Sequence, residues 1–109
     1  MTERSDTPIV LVDTTDVRVA EFSLPPGEEG ECHRHSAVTE YCYCLEGSLA
    51  VVLRGGQRKI LAPGEKLEIR AGIVHQVINV DAASCRYLVV QGVGAFDFVR
   101  GATRVDCIE

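Results

Sequence analysis

Residues 31–47 read ECHRHSAVTEYCYCLEG, a stretch that crowds two histidines, three cysteines and several carboxylates together. Its second half alternates, with Glu40, Cys42 and Cys44 interleaved by Tyr41 and Tyr43. Successive side chains on a strand point to opposite faces, so Glu40, Cys42 and Cys44 share one face and the tyrosines take the other. The same period puts His33 and His35 on a common face, with Cys32 pointing away. A short connection (SAVT, 36–39) lets a hairpin bring Glu40 beside the two histidines. The third histidine, His75, joins them only if the sheet closes on itself.

Outward from this stretch, short Val-, Leu- and Ile-rich runs alternate with turn residues. The expected strands are Ile9–Val12, Val17–Leu24, Glu40–Leu45, Ser48–Leu53, Arg58–Leu61, Lys66–Arg70, Gln76–Asn79 and Arg86–Gln91. Between them stand PPGEEG (25–30), EG (46–47), RGG (54–56), APG (62–64) and AG (71–72), each carrying a glycine that supplies the turn conformations hairpins need. Many short strands at regular spacing indicate an all-β sandwich or barrel, and no window carries a helical period. The last stretch, 92–109, reads equally as a further strand or as an arm.

At 109 residues the chain suits a single domain, 1–109, able to bury a core without disulfide staples. Its net charge of −5, with basic residues scattered among acidic ones, argues against a nucleic-acid partner. No apolar run reaches the length of a membrane span, and the first ten residues do not resemble a secretory signal. Five cysteines in no recognisable framework suggest free thiols in a reducing cytoplasm.

Three imidazoles and one carboxylate, from His33, His35, His75 and Glu40, make a mixed site suited to Fe, Mn, Ni, Co or Zn. The same residues could instead form a buried hydrogen-bonded cluster. Burying an ionised Glu without any partner would cost several kcal/mol, so one of the two arrangements is required.

The spacing resembles the cupin superfamily. Gly27, His33, His35, Glu40 and Gly47 keep every interval of the first cupin motif, and Gly64, Gly72, His75 and Asn79 keep those of the second. Arg70 stands where that second motif usually has proline, which puts the local turn in question. The resemblance implies a jelly-roll β-barrel of two antiparallel sheets, with His33, His35, Glu40 and His75 as inward-pointing ligands of a divalent transition metal. It also implies a metalloenzyme of dioxygenase or isomerase type acting on a small polar molecule, or else a non-catalytic small-ligand sensor.

Cys42, nearest to Glu40 on its face, is expected to line the pocket without ligating, because harder ligands already satisfy the metal. Cys44 is expected deeper, as a small hydrophobe. Cys85 and Cys107 carry no readable signal. Arg18 sits on an early strand and either reaches the pocket to hold an anion or, as arginines on barrel strands more often do, faces solvent. The exposed edges of a small sheet, with Ile78 beside Val80 and Leu88 beside Val90 on outward faces, lead to the expectation of a C2 homodimer.

Overall fold

The computed structural model describes residues 8–100. Its strands are β1 (Ile9–Asp13), β2 (Val17–Leu24), β3 (His33–Arg34), β4 (Glu40–Glu46), β5 (Leu49–Leu53), β6 (Gln57–Leu61), β7 (Lys66–Ile69), β8 (His75–Asn79), β9 (Cys85–Gly92) and β10 (Val99–Arg100). No helix occurs among the described residues, so none is long and apolar enough to cross a membrane. The eight expected strands form within a residue or so of their sequence boundaries. The two that the sequence does not announce, β3 and β10, are two residues long and too short to show a period.

Two five-stranded antiparallel sheets result, ordered β1-β2-β9-β4-β7 and β10-β3-β8-β5-β6, and the fold is the expected jelly roll. Alternation drives it. Along β9 the pattern is strictly buried–intermediate, with Cys85, Tyr87, Val89 and Gln91 turned inward. The main core joins Cys85, Tyr87 and Val89 to Leu24, Cys42, Cys44 and Ile69 of the same sheet and to Leu49, Val51, Leu61 and Val77 of the facing one. Sandwiching two such faces, which pack about 10 Å apart, is how half-apolar strands satisfy their inner sides. A second cluster of Cys32, Ala50, Val52 and Ile78 has the opposite parity on the second sheet. Ile78 is therefore buried rather than exposed, which corrects the outward apolar pair expected with Val80. Val80 is exposed, and a run of exposed apolar residues lies on β1, where Ile9, Val10, Leu11 and Val12 are all open to solvent.

The turns explain two of the motif glycines. Gly47 has φ +82°, and a side chain there would bring Cβ to 2.9 Å from the Ser84 carbonyl, closer than real contacts allow. Gly72, at φ +85°, donates its N–H to the His35 carbonyl at 2.7 Å, so one turn ties the segment before His75 to the segment bearing His35. That turn closes without the usual proline: Ile73 N–H reaches the Arg70 carbonyl at 3.1 Å, and the Arg70 side chain lies in solvent. Asn79 ends β8 as a fully bonded buried amide. Its Nδ2 donates to the carbonyls of Leu24 (3.0 Å), Pro25 (3.1 Å) and Ala83 (2.9 Å), while Oδ1 accepts from Asp81 N–H (2.9 Å).

Cys42, Cys44 and Cys85 are free and buried, whereas Cys32 is disulfide-bonded. This corrects the expectation of free thiols throughout. Cys107 lies outside the described residues.

Candidate metal centre

The sheets converge at one end of the barrel. Glu40 opens β4 in one sheet, while His33 on β3 stands directly opposite His75 on β8 in the other. His35 follows β3 on the link to β4. The four residues offer ligand atoms all within 4.8 Å of one another, and together they can hold a metal ion. His35, Glu40 and His75 are buried, and His33 is partly so.

Each imidazole is held from behind by a backbone carbonyl. His33 Nδ1 meets the Glu31 carbonyl at 2.8 Å, His35 Nδ1 that of Asp97 at 2.6 Å, and His75 Nδ1 that of Ile73 at 2.9 Å. A carbonyl oxygen only accepts, so every Nδ1 carries a proton and every Nε2 is turned to the centre. Fixing the tautomer through the far nitrogen is the arrangement that orients histidines as metal ligands.

The inner atoms fit a cation. His75 Nε2 is buried, has no hydrogen-bond partner, and lies 3.7 Å from Glu40 Oε2. His35 Nε2 approaches Glu40 Oε1 at 2.9 Å. Two acceptors meet so closely only when positive charge lies between them, as a proton on His35 or as a metal ion. Nitrogen and carboxylate donors in this number suit a divalent first-row metal.

The electrostatics agree. Burial opposes the Glu40 carboxylate, but hydrogen bonds and charge from His35 and His75 prevail and hold its pKa well below the usual range. Burial also opposes protonation of His35, yet the hydrogen bonds to Glu40 and the Asp97 carbonyl raise its pKa. At His33, burial and then the neighbouring His75 lower the pKa to about 4, which keeps this ring neutral as a ligand must be.

A cavity of about 280 Å³ is lined by three of the four, His33, His35 and Glu40, with Phe22, Val77, Tyr87, Val89 and Gln91 also among its walls. Phe22 and Tyr87, paired across β2 and β9, stack at 5.3 Å. Arg18 also lines the cavity, so the solvent-facing alternative is set aside. Cys42 does not. Strand parity gives its face correctly, but its short side chain is fully buried in the core, and Val77 and Val89 present the wall. Burial pushes its thiol pKa well above the ordinary value, so the expected pocket-lining role is withdrawn.

Several contributors are not among the residues that the sequence motifs single out. Gln91, buried beside the four residues, donates from Nε2 to Glu40 Oε1 at 3.0 Å. The segment after β9 crosses the site: Phe98 stacks on His33 at 4.2 Å, Phe96 packs on His35 at 5.4 Å, and Asp97 supplies the carbonyl behind His35. Asp97 Oδ1 further accepts from Ser36 N–H at 2.7 Å. The alternation Phe96-Asp97-Phe98 was the available clue, since it puts both rings on one face.

The family model for the cupin domain matches residues 20–91. The chain is 34% identical over 76 residues to the β-alanine degradation protein BauB of Pseudomonas aeruginosa, a match covering 69% of this chain and 80% of that protein. It is 29% identical over 83 residues to germin-like protein subfamily T member 3 of Arabidopsis thaliana, covering 72% of this chain. The chain spans only 37% of that germin-like protein's length. A Klebsiella pneumoniae structure with a double-stranded β-helix domain superposes with a TM-score of 0.79 at 22% identity, covering 88% of this chain and 85% of that one.

Proposed function

The chain belongs to the cupin domain family, and from that premise we propose that it is a metalloenzyme acting on a small polar organic molecule, by dioxygenase or isomerase chemistry. His33, His35, Glu40 and His75 would hold the divalent metal. The observation that carries this reading is the set of three Nδ1–carbonyl bonds, which turn three Nε2 atoms onto one buried carboxylate beside a cavity. When bound, such a metal supplies Lewis acidity, with about two coordination positions left for a substrate.

The chain's own residues do the rest. The carbonyls behind the imidazoles fix ring orientation, and Gln91 fixes one carboxylate oxygen of Glu40. Phe22, Val77, Tyr87 and Val89 exclude water from the body of a bound molecule, which strengthens every polar contact beside them.

A sensor role is the second reading, and one observation favours it. Beyond the four candidate ligands, the ionisable groups on the cavity wall among the described residues are Arg18, Glu31 and Tyr87, and Glu31 is paired with Arg100 at 3.0 Å. Little remains to move a proton. Metal analysis of the purified protein, followed by oxygen-uptake and isomerisation screens with small organic acids and sugars, tests both readings. The expected result is about one divalent metal per chain, largely lost in His75→Ala, with turnover of one substrate class. Full occupancy in His75→Ala would overturn the four-donor site; a loaded protein that binds molecules without converting them would leave the sensor.

A further inference from the structure

We propose that Arg18 is the anion anchor of the cavity, and that the ligand is a small carboxylic acid lying between Arg18 and the four-residue centre. This deepens the reading above and rests on its premise that the cavity receives a small organic molecule.

The register sets the geometry. Arg18 on β2 pairs with Gln91 on β9, and Gln91 pairs with Glu40 on β4, so the three occupy one row across adjacent strands. Neighbouring strands lie about 4.8 Å apart, which puts the Arg18 and Glu40 backbones about 10 Å from each other. Both side chains line the cavity, with Gln91 between them in the row.

Arg18 has no structural employment that would explain an inward position. Its guanidinium makes no hydrogen bond or ion pair with the described residues. Its guanidinium lies over the Phe96 ring, 4.6 Å from the centroid, and such a contact consumes none of the N–H donors. A guanidinium's N–H fork matches a carboxylate in bidentate geometry. The class of anion follows from the count of charges. Arg18 is the sole arginine or lysine on the wall among the described residues, and Glu31 is already neutralised by Arg100. At the Arg18 end of the cavity one cation therefore balances one carboxylate. The volume, about 280 Å³, lies at the small end for ligand sites. The apolar rings and valines between the two ends fit an aliphatic body.

The test is an NMR titration with propionate and its neutral analogue propionamide, on metal-free and Zn(II)-loaded protein. The parent should bind propionate about tenfold or more tightly than propionamide in both states, as expected for a charge-assisted contact. Arg18→Gln should erase that preference with its thermal unfolding unchanged, and Arg18→Lys should keep part of it. Equal propionate binding by parent and Arg18→Gln overturns the anchor. So does propionate binding confined to the Zn(II)-loaded protein and indifferent to Arg18, which would make the carboxylate a metal ligand. Failure of both probes to bind in both states overturns both the anchor and the ligand-site premise. An Arg18-dependent preference in protein that takes up no metal would remove the metalloenzyme reading alone.

Discussion

Gln91 presents one amide nitrogen to two members of the centre, standing 3.0 Å from Glu40 Oε1 and 3.2 Å from His35 Nε2. Its N–H group holds the carboxylate in a single orientation. Gln91→Leu keeps the side-chain volume and removes that donor. Metal affinity, measured by competition with a chelator, should fall about tenfold, at the lower end of the range for groups behind a ligand. Unchanged affinity would show that Glu40 is positioned without it.

Cys42 packs in the core, one row below Glu40 in the β4–β9 register. A thiol with a raised pKa behind valine side chains should react slowly with alkylating reagents, at equal rates with and without metal. Cys42→Ser should retain its metal while losing stability. Metal-dependent labelling would return Cys42 to the pocket.

Asn79 joins the end of β2, the end of β8 and the turn after it through four hydrogen bonds. Asn79→Ala leaves buried carbonyls without donors and should cost about 2–4 kcal/mol in chemical denaturation. A loss under about 1 kcal/mol would mean water replaces the amide at little cost.

His33 makes the metal-free protein sensitive to acid. Its folded pKa of about 4 lies below the ordinary value of 6.5, so between these limits the unfolded chain takes up a proton that the folded chain refuses. Stability on this account is full above pH 6.5 and declines as the pH falls toward 4. Relative to His33→Gln, the metal-free parent should lose about 1–3 kcal/mol across that window. A pH-independent difference in urea unfolding between the two would refute it.

β1 is an edge strand whose five residues are all exposed, four of them aliphatic. Such an edge invites pairing. A homodimer with twofold symmetry is the expected state at micromolar concentration in sedimentation, and Leu11→Lys should shift it toward monomer. A parent that sediments only as monomer would rule this out.

Most of the fold was legible because alternation and glycine-bearing turns are local properties. β9 shows it best, since its inward residues follow directly from period two. The four convergent residues were legible as motif spacing, although spacing alone did not separate a metal site from a hydrogen-bonded cluster. What escaped depends on register or on backbone. Arg18 and Gln91 acquire their positions only when β2, β9 and β4 align, and the Asp97 contribution is a carbonyl, which every residue type carries. Cys42 shows the limit of parity: period two reports which face a side chain takes, and says nothing of which taller neighbours stand in front of it.

The bond from His35 to the Asp97 carbonyl has a consequence for the order of events during synthesis. All four candidate ligands have been translated by residue 75, yet the carbonyl that sets the His35 ring and the phenylalanine that covers His33 come more than twenty residues later. A nascent chain halted between these points would carry every donor atom and still lack the means to aim them. If a metal is captured by this set, its productive capture would therefore follow translation of the segment through Phe98.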